Sequence, residues 1–273
     1  TWKSSCCTNR SVLFWRTLSL HIDKPRGDGT LNRQNMLPGI ALAIACFLFL
    51  LLTCLSYRTL SLTASSDSLE TGKPVLLIDP GHGGEDGGTQ SSSGLLEKDI
   101  NLSISKKLQE LLVLSGYQVK MTRETDCSIG DASLSTVKER KVSDLQRRLS
   151  IVSETPNTIL VSIHQNYFAE SKYYGTQVFY SVNREESSAL AEAIRVSVTS
   201  MLQPENKREN KPATESIYLL DRAQVPAVLV ECGFLSNPEE AMRLENETYQ
   251  EQMAFCIYQG IVRFLADASL QVQ

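Results

Sequence analysis

Four side chains that could hold a metal or move a proton fall where predicted strands end or a helix begins. His82 lies in a glycine-rich stretch after the first apolar strand, and His164 and Glu231 directly follow two other strands. Glu97 begins the first predicted helix. In an open sheet of mostly parallel strands, groups at the carboxyl ends of the strands gather in one crevice. We therefore expect these four residues to lie together.

Two imidazoles and one carboxylate form the ligand set of a hydrolytic zinc that keeps a fourth position for water. Zinc lowers the pKa of water towards about 7 and polarises a scissile carbonyl. A further carboxylate must then accept the proton of water and pass it to the leaving amine. His82, Glu97 and His164 suit the ligand roles, and Glu231 suits the proton transfer.

Each of these residues also has a structural interpretation. A histidine at a strand end often only completes hydrogen bonds, and Glu97 could stabilise the helix dipole in the first turn of its helix. Glu231 could simply pair with an arginine. The glycine-rich stretch at residues 81–88 fits neither a P-loop nor a dinucleotide-binding fingerprint. The convergence of all four residues on one sheet edge favours the metal site.

The elements that must position these residues follow from the hydrophobic pattern. It predicts strands at residues 75–79, 117–121, 158–163, 176–180 and 227–230. It predicts helices at residues 97–114, 139–153, 185–202 and 249–266. Strands that alternate with helices indicate an α/β fold, with a mostly parallel sheet and helices on both faces.

An uncharged apolar run at residues 37–57 precedes this domain and is long enough to span a membrane as a helix. Cations are frequent before the run and rare after it, so we expect residues 1–36 in the cytoplasm and the catalytic domain outside. Residues 62–64 are a poor cleavage site, which favours an uncleaved anchor over a signal peptide. Met36 directly precedes the run, which leaves open a start there, with the upstream residues outside the native product.

The remaining boundaries follow from composition. Residues 58–73 are small, polar and without periodicity, as expected of a linker; residues 74–268 form the catalytic domain and 269–273 a short tail. The net charge of −4 gives no electrostatic reason to expect nucleic acid as a partner. The seven cysteines are irregularly spaced and include no C-x-x-C, so they suggest neither a disulfide framework nor a cysteine zinc site.

From about Lys73 to Leu265 the chain resembles the zinc-dependent N-acetylmuramoyl-L-alanine amidases. The motifs that carry the resemblance are IDPGHGGEDGG at 78–88, LEKD at 96–99, MTRETD at 121–126, VSIHQN at 161–166 and VLVECGFLSNP at 228–238. The resemblance implies a central six-stranded sheet and zinc held by His82, Glu97 and His164, with Glu231 as the acid–base. Asn166, in the fourth motif, is a candidate substrate contact.

Within that family the chain is most similar to the membrane-anchored amidases of the spore cortex. That likeness implies removal of stem peptides from muramic acid on the way to muramic δ-lactam, in the cell wall or the forespore intermembrane space. A general wall-remodelling or daughter-cell-separation amidase is the alternative. The short stretch between His164 and Glu231 leaves no room for an inhibitory plug, and activation by a protein partner stays open.

Activities of other classes are also compatible with the sheet and the ligands. A zinc carboxypeptidase would need an arginine for the terminal carboxylate of its substrate, and Arg147 or Arg222 could supply it. A deacetylase of wall sugars could use the same metal ligands. A non-catalytic wall-binding domain would be expected to lack one of the four chemical residues, and all four are present.

Overall fold

The computed structural model describes residues 44–51 and 73–271, and it describes no side chains beyond residue 267. The chain divides into two units, Thr1–Ser66 and Asp67–Gln273. In the first unit, residues 44–51 are helical. Within the described ranges, no helix combines the length and the apolar character needed to cross a membrane. Most of the predicted span at 37–57 lies outside those ranges, so the anchor stays a prediction.

A six-stranded sheet forms the centre of the second unit. Its strands are β1 (Val75–Pro80), β2 (Val119–Met121), β3 (Thr158–Asn166), β4 (Gln177–Tyr180), β5 (Lys211–Pro212) and β6 (Ala227–Phe234). The spatial order is β2-β1-β3-β6-β4-β5, and only the β4–β6 pair is antiparallel. The prediction of a mostly parallel, six-stranded sheet is confirmed.

Helices cover both faces of this sheet, as predicted. They are α1 (Glu97–Leu114), α2 (Val137–Glu154), α3 (Glu186–Met201), α4 (Tyr218–Arg222), α5 (Pro238–Glu245) and α6 (Glu247–Gln271). One buried apolar cluster joins the sheet to α1, α3, α5 and α6, and a smaller one joins it to α2 and α4. Burial of these apolar faces is the main favourable term in folding.

Two strands run further than the hydrophobic pattern predicts. His164 and Glu231 were expected just after their strands, but both lie within them and are register partners across β3 and β6. Parallel pairing carries the strands past their apolar runs. A bulge follows at once, because the next partners are Asn166 and Phe234, two residues further along β3 but three along β6. Bulges next to active sites change the direction of side chains, and this bulge directly follows His164 and Glu231.

Three short elements were not predicted, namely β5, α4 and α5. They are too short for hydrophobic periodicity to reveal them. The start of α5 nevertheless carries a readable signal, because Asn237 caps it through its side chain and Pro238 follows at the first helical position.

A buried ion pair ties α2 to the end of β1. Arg148 is only 2% exposed, and its Nη1 donates to Asp79 Oδ1 at 2.6 Å. Burial alone would raise the pKa of Asp79, but the charge of Arg148 and the hydroxyls of Ser162 and Thr122 lower it to about 2. The neighbouring Arg147 is half-exposed, so adjacent arginines of one helix have opposite environments.

Replacing Arg148 by leucine should therefore destabilise the protein by about 3–5 kcal/mol at pH 7, because it leaves the Asp79 carboxylate buried without its partner. Chemical unfolding measures the free energy of unfolding of the variant and the wild type. Arg147→Ala is the control, and it should change the free energy of unfolding by less than about 0.5 kcal/mol. The stability that Asp79 contributes is present above its ordinary pKa of 3.8 and is lost as the pH falls towards about 2.

The gap between wild type and Arg148→Leu should consequently narrow on acidification, since a protonated Asp79 no longer needs the guanidinium. A gap that stayed constant from pH 7 to pH 3 would show that the two charges are not coupled.

Candidate metal centre

The three residues predicted as metal ligands converge on one point. His82 Nε2 lies 3.2 Å and His164 Nδ1 lies 2.9 Å from the same Glu97 oxygen, Oε1. All three ligand atoms lie within 4.8 Å of one another. The two imidazole rings meet edge to face, with their centroids 5.0 Å apart. Two nitrogens and one carboxylate oxygen therefore face a common centre.

Glycines make room for these side chains. A Cβ on Gly81 would lie 2.2 Å from the His164 ring, and one on Gly88 would lie 2.5 Å from Glu97 Oε2. His82 itself has a φ of 62°, in the left-handed region that a non-glycine residue rarely adopts. Such a conformation costs on the order of 1–3 kcal/mol and persists where the surroundings determine it.

Two buried arginines hold the backbone around His82 in this conformation. Arg123 donates to the carbonyl oxygens of Pro80 and Gly81, both at 3.0 Å. Arg148 donates to the carbonyl oxygens of Pro80 at 2.8 Å and of His82 at 2.7 Å. The backbone that presents His82 is therefore fixed through its carbonyl groups.

Asp86 holds the far side of the His82 ring, a role that the sequence did not reveal. Its Oδ2 lies 2.8 Å from His82 Nδ1, which leaves Nε2 directed at the centre. Burial by itself would lower the pKa of His82, but the hydrogen bonds to Asp86 and Glu97 raise it to about 9. A metal must therefore displace a proton from His82 near neutral pH. The spacing of four residues within a glycine-rich loop was the available signal.

Glu97 is held on both carboxylate oxygens and is only 2% exposed. Its Oε2 accepts from the Thr89 backbone at 2.9 Å, and its Oε1 accepts from the Gln165 backbone at 3.1 Å and the Asn101 side chain at 3.3 Å. Burial would raise the pKa of Glu97, but His164 and His82 hold it far below its usual range. A fixed anion thus lies at the centre.

Glu231 enters the same cleft from the neighbouring strand. Its Oε2 is buried and has no hydrogen-bond partner among the described residues. Burial raises the pKa of Glu231 to about 7, with the charge of Glu97 adding to the effect and His164 opposing it. A carboxyl with a pKa near neutral can both accept and return a proton at physiological pH.

The centre opens into a cavity of about 430 Å³. Its wall includes His82, His164 and Glu231, together with side chains of α2 and of the segment that leads into α4. Asn166 is not among the residues that line this cavity, and its role as a substrate contact stays a prediction.

The donor set fits a divalent metal. Two imidazole nitrogens and one carboxylate oxygen are the ligands of catalytic zinc sites, which leave further positions for water and substrate. Each histidine nitrogen already lies at hydrogen-bond distance from the carboxylate, so the three donors are assembled around one centre. The pKa of Glu97 keeps it ionised across the physiological range.

Asp86→Ala should weaken metal binding about tenfold, at the lower end of the range for losing a residue that orients a metal-binding histidine. Orientation of His82 is lost, and the fall in its pKa removes part of the competing protonation. Competition with a chelator at pH 7.5 measures the affinity. Glu85→Ala is the matched control, because its carboxylate pairs outward with Arg140. Unchanged affinity in Asp86→Ala would contradict the orienting role.

Comparison with known proteins identifies this arrangement. The family model for N-acetylmuramoyl-L-alanine amidase matches residues 76–263. The germination-specific N-acetylmuramoyl-L-alanine amidase of Bacillus subtilis is 34% identical over 200 residues, which span 73% of this chain and 83% of the relative.

Solved structures agree with the sequence comparison. The CwlD amidase from Clostridioides difficile, solved in complex with the GerS lipoprotein, is similar with a TM-score of 0.69 at 41% identity. That match covers 71% of this chain and 99% of CwlD. The N-acetylmuramoyl-L-alanine amidase AmiC2 of Nostoc punctiforme matches with a TM-score of 0.59 at 32% identity, over 71% of this chain and 98% of AmiC2. The chain belongs to the N-acetylmuramoyl-L-alanine amidase family.

Proposed function

We propose that this amidase works with one zinc ion held by His82, Glu97 and His164, and that Glu231 is its acid–base residue. The observation that carries the proposal is the convergence of three ligand atoms within 4.8 Å, in the same cleft as Glu231. The substrate is the amide between muramic acid and the L-alanine of the peptidoglycan stem.

Hydrolysis of this amide adds water across one carbon–nitrogen bond. When bound, zinc supplies a Lewis acid that makes water more acidic and polarises a carbonyl. Glu231 accepts a proton from the attacking water and returns it to the alanine nitrogen as the bond breaks. The products are the free carboxyl group of the muramic lactyl group and the free amine of the peptide.

The two carboxyl groups of the cleft are suited to different tasks by their surroundings. Glu97 accepts several hydrogen bonds, so it remains an anion that can bind a cation. Glu231 has a buried oxygen without a partner and a pKa of about 7. Environments that push the pKa values of two carboxyls apart commonly separate their roles in an active site.

Glu231→Gln should keep zinc and fold but lower turnover by about 10²–10⁴-fold, because the amide cannot accept the proton of water. Glu97→Gln should instead lose zinc, since it replaces a charged ligand by a neutral one. Metal analysis and stem-peptide release are measured side by side in the two variants. Near-normal turnover in Glu231→Gln would assign the proton transfer to another group.

Two of the rival functions lack support in this cleft. Arg147 and Arg222 are the candidates for a carboxypeptidase's carboxylate-binding residue, but neither lines the cavity. Arg147 pairs with Glu154, and Arg222 with Asp221. A non-catalytic binding domain would not need the complete set of ligands and acid–base.

We further propose a role in the spore cortex, where removal of stem peptides precedes muramic δ-lactam formation. The similarity to the germination-specific amidase of Bacillus subtilis and to CwlD supports this role over general wall remodelling. CwlD was solved with the GerS lipoprotein, which supports a protein partner for this chain as well. Peptidoglycan digestion by the purified chain alone would argue against an obligatory partner.

The substrate lies outside the cytoplasm, so we propose that the catalytic domain acts on the extracytoplasmic side and is held there by residues 37–57. In spore formers that lack their own cortex amidase, the full chain should restore muramic δ-lactam, as measured by mass spectrometry of digested cortex. Glu231→Gln should not restore it, and neither should a chain that begins at residue 58.

These arms separate the two claims. Restoration by the chain that begins at residue 58 would contradict the need for the segment at 37–57. Normal catalysis by the purified enzyme without any lactam in the cells would contradict the cortex role.

A further inference from the structure

One face of α2 forms a wall of the catalytic cavity. Lys141, Asp144, Leu145 and Arg148 all line it, at the spacing of residues that share one side of a helix. The same helix holds the His82 loop through Arg148, so its position relative to the metal centre is fixed. Whatever this face binds lies beside the reacting groups.

Most charged groups of this wall are already occupied. Arg148 uses its guanidinium nitrogens on Asp79, Asp144 and the carbonyl oxygens of the His82 loop. Asp144 accepts from Arg148 at 2.6 Å and from the Ile129 backbone at 2.7 Å. The protein itself thus supplies partners for both groups, and Arg148 is only 2% exposed.

Lys141 differs from them. Its side chain is 48% exposed, and among the described residues its one ion pair is with Asp86 Oδ1 at 2.7 Å. An ammonium group has three donors, so this contact leaves two for a ligand. Apart from the histidines and the buried Arg148, it is the one cationic side chain among the residues that line the cavity.

Apolar side chains line another part of the cavity. Leu145 follows Lys141 by one helical turn and is 38% exposed, and Ile217, Leu219 and Leu229 also line the cavity. A small apolar side chain next to an anion would thus meet complementary surfaces. That is the chemistry of a peptide in which alanine precedes an acidic residue.

We propose that Lys141 binds a carboxylate on the stem-peptide residue that follows L-alanine. This inference rests on the amidase function and names the part of the substrate that the cleft recognises. The charge of Lys141 holds the acidic residue while the apolar wall accommodates the alanine methyl group. Lys141 is thereby a specificity residue for acidic stems over amidated ones.

The test uses two soluble muramoyl-peptides that differ only in this carboxylate, one carrying it free and the other carrying it as a carboxamide. On the acidic substrate, Lys141→Ala should raise KM about twofold to fivefold, as expected for a partly exposed charge pair, and leave kcat and zinc content nearly unchanged. On the amidated substrate it should change KM little. Lys141→Arg should retain most of the preference.

Lys138→Ala is the matched control, since Lys138 is an exposed lysine of the same helix that does not line the cavity. It should alter neither substrate's KM. The preference of the wild type should also weaken at high salt, because exposed charges are screened.

A purely structural role gives a different result. If Lys141 only supported Asp86 and through it His82, Lys141→Ala would lower zinc content or kcat and affect both substrates equally, which would overturn the proposal. A wild-type enzyme that did not distinguish the two substrates would overturn it too. Release of no stem peptide from either substrate by the wild type would contradict the amidase function itself, and with it the subsite.

Discussion

The buried pair of Arg148 and Asp79 is the interaction on which the site depends. Moving two charges out of water costs several kcal/mol per ion, and attraction alone does not always offset that cost. Here the other donors of the guanidinium reach Asp144 and the carbonyl oxygens of Pro80 and His82. The pair therefore does more than stabilise the fold, because it determines the path of the chain that presents His82, a proposed metal ligand.

The position of each residue in the candidate metal centre is fixed by contacts with residues further from the centre. Arg148 and Arg123 hold the loop backbone, the loop holds His82 in a left-handed conformation, and Asp86 sets the orientation of its ring. Glu97 meets this ring from the start of α1. Each of these contacts restricts the conformation of the next residue, so protein contacts alone hold the three proposed ligands in place.

Strand pairing explains why the proposed acid–base residue lies beside a proposed metal ligand. His164 and Glu231 are partners in neighbouring parallel strands, and such strands lie about 4.8 Å apart. The bulge that follows interrupts the regular register immediately after both residues. The same backbone geometry thus brings His164 and Glu231 to a single cleft, and burial then gives Glu231 a pKa unlike that of Glu97.

The sequence by itself determined the order of the main strands and helices and the open sheet, and it singled out His82, Glu97, His164 and Glu231 as the candidate site residues. These features depend on hydrophobic periodicity and on residue types at strand ends, both of which are local. It also placed α1 within its observed bounds, because apolar residues at helical spacing are followed by Gly116 in a left-handed conformation.

Only the tertiary structure decided which charged residues are buried and what they hold. Arg147 and Arg148 are adjacent and chemically identical, yet one is half-exposed and the other is enclosed beside Asp79. Asp86 lies in the same loop as Glu85, but only Asp86 reaches the His82 ring. The extension of β3 past His164 and of β6 past Glu231 likewise depended on a partner strand. Such outcomes rest on contacts between residues far apart in the chain, which no local pattern of residue types contains.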